Sequence, residues 1–186
     1  IMAESARRAF KRGLIPAVAD AHLLPFSADS FDAVLALDVV EHLFNPQLFM
    51  GESRRVLKPA GFLIIDIPNH FNVIQRINML LGRGIVHYTH RRTGATTNPW
   101  TYPHIRFPSY ADIKPFVRKS GFVIDKCFNV QIAPRDFSPA NVPFRSYRIR
   151  EILARAHPSL FAASFRLRLR PDTGYRPSPR LIDGVS

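Results

Sequence analysis

The chain has 186 residues, 46% of them apolar and 22% charged, enough to bury one ordinary hydrophobic core but not two. The single cysteine, Cys127, excludes an internal disulfide framework, and no apolar run is long enough to cross a bilayer, so a soluble, cytoplasmic, single-domain protein is expected. The net charge of +12 is uneven: residues 1–70 carry seven Lys/Arg against eight Asp/Glu, and residues 71–186 nineteen against six. Only the second half favours an anionic partner such as nucleic acid, an anionic lipid surface or a phosphorylated substrate.

Residues 3–12 are rich in helix formers, and Gly13 supplies a stop. Ile1 precedes Met2 and the chain opens directly on this helical pattern, which reads as a fragment or a displaced start. Leu14 to Ala19 is a short apolar run ending on Asp20, expected as a buried parallel strand with the acid at its carboxyl end, where ligands of open α/β sheets bind. Residues 21–30, with Pro25 and the Asp29-Ser30 pair, form a loop.

Phe31 to Leu37 is nearly unbroken apolar sequence, expected as a strand buried on both faces. Asp38-Val39-Val40-Glu41-His42 follows at once. Two carboxylates and an imidazole at a strand end exceed what packing requires. Asn45-Pro46 reads as an N-cap with proline at the first helical position, opening a helix to about Leu57 that turns Phe49, Val56 and Leu57 inward and stops before Pro59. Gly61 to Ile67 is the next strand, and Pro68-Asn69-His70 opens a loop on the same edge as Asp20 and Asp38.

Phe71 to Gly84 has Ile74, Ile77, Leu80 and Leu81 at near-helical spacing, either a cover over the site or an interfacial helix. Residues 85–108 mix His87, His90, Arg91, Arg92, Trp100, Tyr102, His104 and Arg106 with turn formers, as an ordered loop would. Residues 71–108 together are expected to be a cover or substrate insertion. Ser109 and Asp112 form a capping pattern for a helix ending before Gly121. Phe122 to Val130 is a strand that buries the Cys127 thiol. After Ala133 the pattern weakens until Phe161 to Leu169, whose last residues alternate in strand fashion, and from Arg170 to Ser186 a disordered tail is expected.

Three pieces in register, VxADAxxLPFxxxSFDxVxxxDVxEHLxxP, ExxRVLKPxGxLxxxxPN and HxRFPSYxxxxxxxxxSGF, resemble the later motifs of class I S-adenosylmethionine-dependent methyltransferases, and most of all the group that includes ubiquinone and menaquinone biosynthesis enzymes. The resemblance covers roughly residues 14–128. It implies a Rossmann-like α/β sheet in the order 3-2-1-4-5-7-6, S-adenosylmethionine as cofactor, and methyl transfer to oxygen or carbon of a small-molecule acceptor, anionic or aromatic in character. It places Asp20, Ala21 and His22 at the adenine and Leu37, Asp38 and Val39 beside the methionine part. His42, with His70 and His104 as rivals, is the candidate base.

Some related enzymes with an ExxEH sequence hold a divalent cation there. The resemblance therefore offers Asp38, Glu41 and His42 as an alternative magnesium or manganese trio, while metal-free chemistry is the expectation. No GxGxG occurs in the chain, and its nine glycines are scattered. The first two family strands are thus expected to be missing from residues 1–170, which form a partial methyltransferase domain whose grip on the cofactor is weak or absent. The alternatives are an RNA methyltransferase or a non-catalytic binding remnant using the basic half. Peripheral membrane contact is a lesser option.

Overall fold

The computed structural model describes residues 2–85, 98, 100–128, 130–131 and 145–176. Helix α1 (Met2–Lys11) precedes strand β1 (Phe31–Leu37), and a 3₁₀ turn (Val40–His42) leads to α2 (Pro46–Val56) and β2 (Leu57–Pro68). Then come α3 (Val73–Leu80), α4 (Tyr110–Lys119), β3 (Phe122–Cys127), β4 (Val130–Gln131), α5 (Arg145–Ala156), α6 (Pro158–Phe161) and β5 (Ala162–Pro171).

The strands form one sheet in the order β1-β2-β5-β3, with β4 also on β5. β1 and β2 are parallel, joined through α2, whereas β5 is antiparallel to both β2 and β3. That sequence of neighbours is the 4-5-7-6 half of the expected order. Helix signals act locally as expected. The Asn45 side chain accepts from Leu48 N with Pro46 in the first turn, and Ser109 and Asp112 form a reciprocal capping box at the start of α4.

One sheet face carries the core. Ala36, Leu63, Ile65, Ile67, Phe165, Leu167 and Leu169 pack with Phe49 and Met50 of α2 and Ile113 and Val117 of α4. Alternation places Leu35 and Leu37 on the other face, beside Ile64 and Asp66. There Leu35 is 63% and Leu37 48% exposed, so β1 is not buried on both faces as its composition suggested. On that face Arg166 pairs with Asp66, while Arg168 and Arg170 pair with Asp125. The three arginines that alternate along β5 are therefore all paired, against two carboxylates.

Three further expectations are corrected. Residues 14–19 form no strand and are exposed: a strand needs a hydrogen-bonding neighbour, and among the described residues none lies beside them. Asp20 instead makes an isolated bridge with Leu23. In α3 the buried residues are Gln75 and Asn78, while Ile77, Leu80 and Leu81 face outward. Cys127 is exposed, because β3 lies at the margin of the sheet.

The chain also stays ordered past Arg170. Asp172 N donates to Gly121 O, and Tyr175 Oη donates to Lys119 O at 3.0 Å, so residues 171–176 are tied to the end of α4. The expected tail beyond residue 176 lies outside the described residues, as do His87, His90, Arg91 and Arg92. No helix among the described residues is long and apolar enough to cross a membrane.

Candidate active site

The parallel pairing of β1 with β2 is prolonged by Asp38 N, which donates to Asp66 O at 3.3 Å. Asp38 then adopts φ 53°, a left-handed conformation that non-glycine residues seldom hold. This reversal turns the chain out of the sheet and into the Val40–His42 turn, delivering Glu41 and His42 beside the end of β2. There Asn69 anchors the exit of β2: Asn69 N donates to Ala163 O at 2.8 Å, and its side-chain amide donates to Ala162 O.

A segment far along the chain completes the site. The backbone N–H groups of Ile105 and Arg106 both donate to Glu41 O, at 3.0 and 3.1 Å, and the Arg106 guanidinium donates to Leu43 O and Phe44 O. His42 Nδ1 lies 3.0 Å from Pro103 O. His104 is thereby set between His42 and His70, with ring centroids 4.6 and 5.1 Å away. Tyr102 and Phe107 close the cluster, at 5.8 and 4.9 Å from the His70 ring. The three histidines singled out as rival bases form one group.

Burial sets their chemistry. His70 is 1% exposed, and burial, with the neighbouring His104, lowers its pKa to about 4. Burial also lowers His104, with the nearby His42 adding to the effect and Asp38 opposing it. Glu41 is raised, chiefly by burial, and the charges of Asp38 and Asp66 add to the rise. Asp38 is thus close enough to act on both groups electrostatically. A cavity of about 290 Å³ reaches Glu41 from the core side, lined by Val40, Ile67, Phe107, Ile113 and Phe116 with Arg106.

The candidate adenine residues are arranged differently from the strand-end expectation. Asp20 accepts from His22 N at 2.8 Å and lies 2.7 Å from His22 Nδ1. These hydrogen bonds lower its carboxyl pKa. His22 Nε2 accepts from Asn45 N at 3.2 Å, so the Asp20–His22 turn is docked on the start of α2, with Ala21 against the core. Leu24 N donates to Glu52 Oε2, which holds the same loop on α2.

Metal-ligating side chains converge at Glu41, His42 and His104, whose donor atoms all lie within 4.8 Å of one another. Asp38, the third member of the alternative trio with Glu41 and His42, lies outside that group. Asp66 and the Pro103 carbonyl were not singled out from sequence. A lone acid inside the apolar run Gly61 to Ile67 was a usable signal for Asp66. No local signal exists for Pro103, whose role arises from a contact across 61 positions.

Residues 1–65 match the sequence profile of the family described as "Methyltransferase domain". A Thermotoga maritima S-adenosylmethionine-dependent methyltransferase, described as a possible histamine N-methyltransferase, superposes over 91% of this chain and 70% of its own, with a TM-score of 0.58 at 19% identity. This is a class I methyltransferase fold. The cofactor that accompanies it is S-adenosylmethionine.

Among curated relatives, a probable S-adenosylmethionine-dependent methyltransferase of Mycolicibacterium smegmatis is 28% identical over 107 residues, covering 58% of this chain and 34% of that protein. The mitochondrial ubiquinone biosynthesis O-methyltransferase of Dictyostelium discoideum is 33% identical over 70 residues, covering 38% and 21%. The chain spans about a third or less of the length of the curated relatives it matches.

The ends of β1 and β2 open on one edge, with exposed Asp38 between Leu37 and Val39. No glycine-rich turn is available within the 186 residues to bring backbone close to the cofactor on its other side.

Proposed function

We propose that this chain supplies the methionine-side and acceptor-side part of an S-adenosylmethionine-dependent methyltransferase acting on oxygen or carbon of a small molecule. The observation that carries this reading is the left-handed Asp38 at the end of β1, in a sheet of class I order, facing the edge where His42, His70 and His104 gather. The bound cofactor would supply an electrophilic methyl group on sulfonium. Leu37, Asp38 and Val39 would orient its methionine part, and the histidine cluster would face the acceptor.

Methyl transfer is an in-line displacement, so positioning and exclusion of water are the main demands on the protein. A base matters only for an acceptor that must lose a proton. His70, with its pKa near 4, stays neutral and is a weak base, which favours His42 in that role and leaves His70 to position His104. The aromatic rings of Tyr102 and Phe107 suit a ring-bearing acceptor, and the O-methyltransferase relative supports oxygen as the target atom.

Because the chain holds no glycine-rich turn, its own affinity for S-adenosylmethionine is expected to be weak. Equilibrium dialysis with labelled cofactor tests the reading. It expects low retention, displaced by S-adenosylhomocysteine and reduced by Asp38→Ala. Retention indifferent to S-adenosylhomocysteine would refute it.

A second reading, a nucleic-acid substrate, draws on a groove of about 830 Å³ along α4 that presents Lys114, Arg118 and Lys119. It requires affinity for RNA or DNA to fall steeply with salt.

A further inference from the structure

Helix α4 divides two surfaces. Ile113 and Phe116 line the cavity that reaches Glu41, while Lys114, Pro115, Arg118 and Lys119 turn into a separate groove of about 830 Å³. Ala111, Lys114, Pro115 and Arg118 recur at helical spacing, so one face of α4 forms one wall. The segment after β5 contributes Asp172. Its backbone is fixed there: the Arg54 guanidinium donates to Asp172 O at 3.0 Å and to Gly121 O at 3.4 Å, and Asp172 Oδ1 accepts from Gly174 N at 2.9 Å.

Lys114, Arg118 and Lys119 are exposed, and among the described residues none of them has a carboxylate partner, although Asp172 lines the same groove. Elsewhere the chain pairs its cations: Arg55, Lys58, Arg166, Arg168 and Arg170 each meet a carboxylate. Lys114 and Arg118 are like charges four positions apart, an arrangement that weakens a helix and that an anion between them would relieve. Towards the start of α4, the Tyr110 ring rests on Phe165 with centroids 5.1 Å apart and stays 40% exposed, beside Ala111 and Pro115. The groove therefore has a cationic end and an aromatic, apolar end.

We propose that this groove binds a nucleoside mono- or diphosphate, with phosphate on Lys114, Arg118 and Lys119 and the ring against Tyr110. Arg offers parallel N–H donors to phosphate oxygens, and Lys adds a point charge. A flat ring gains by stacking on an exposed aromatic face. From Tyr110 to Lys119 the helix rises roughly 13 Å. The volume of about 830 Å³ falls within the range of small-molecule sites, about 300–1,000 Å³. Asp172, whose N–H donates to Gly121 O, stands at the cationic end and would repel the next phosphate of a nucleic-acid strand. A finite ligand is therefore favoured over a polymer. The site lies on the side of α4 away from the cavity at Glu41, and its existence does not depend on methyl-donor binding.

The test is calorimetric titration of ADP into the 186-residue chain at physiological salt. One equivalent should bind, and adenosine should bind about tenfold or more weakly for want of phosphate. Lys114→Gln and Arg118→Gln, both at exposed helix positions, should each weaken ADP about fivefold or more, whereas Lys58→Gln, which removes an equal charge elsewhere, should leave it within about twofold. Excess S-adenosylhomocysteine should not displace ADP, which separates this groove from the proposed methyl-donor site. Absence of saturable ADP binding, affinity unchanged in Arg118→Gln, or displacement by S-adenosylhomocysteine would overturn the proposal. Tighter binding of a short single-stranded RNA than of ADP would overturn it in favour of a nucleic-acid strand.

Discussion

The side-chain amide of Asn69, at the exit of β2, donates to the carbonyl of Ala162, at the start of β5, across 2.8 Å. The same amide donates to Ser159 O at 3.1 Å, and Asn69 Oδ1 accepts from Phe71 N at 2.9 Å. One buried side chain therefore joins the two central strands beside His70. Asn69→Ala would remove the side-chain donor to these carbonyls, and a loss of about 1–3 kcal/mol is expected. Urea unfolding checks this, and an unchanged midpoint would contradict it.

A second prediction concerns the seam between α4 and the chain after β5. Gly121 has φ +77°, and a Cβ there would lie 2.6 Å from the Tyr175 ring. Gly121→Ala should cost about 1–3 kcal/mol through backbone strain and overpacking. Tyr175→Ala relieves the clash, so the double variant should lose less than the sum of the singles by at least about 0.5 kcal/mol. Additive losses in a double-mutant cycle would disprove this contact.

The α4 capping box gives a pH signature. The Ser109 hydroxyl and backbone N–H donate to Asp112 Oδ2 at 2.6 and 2.9 Å, and these bonds hold the carboxyl pKa below 3.8. A carboxyl depressed in the folded state contributes stability that is full above the unfolded value and is lost as pH falls through the folded value. Thermal midpoints of the native chain should exceed those of Asp112→Asn near neutrality, with the gap closing below 3.8. A gap independent of pH would show that the carboxylate charge plays no part.

What was legible in the sequence was local. Phe31 to Leu37 and the Asn45 and Ser109 caps announced themselves because a strand between polar clusters and a helix start are written in neighbouring residues. Leu14 to Ala19 has equally apolar composition and forms no strand, because pairing depends on a neighbour that composition does not reveal. Helix α3 inverts its apparent stripe, burying Gln75 and exposing Leu80, since burial is decided by what the helix meets. In the site, Asp38, Glu41 and His42 were visible as a contiguous cluster. His104 was visible only as a rival base; its approach to Glu41 was not, because that depends on backbone bonds from Ile105 and Arg106 to a carbonyl more than sixty positions away.

In the proposed function, the end of β1 receives the methionine part of S-adenosylmethionine. Amide chemical shifts recorded while S-adenosylmethionine is titrated into the labelled chain test it most directly. Shifts are expected at Leu37, Asp38 and Val39 that grow through a large ligand excess, as weak binding requires. Silence at those three residues, or saturation at low-micromolar ligand, would contradict it.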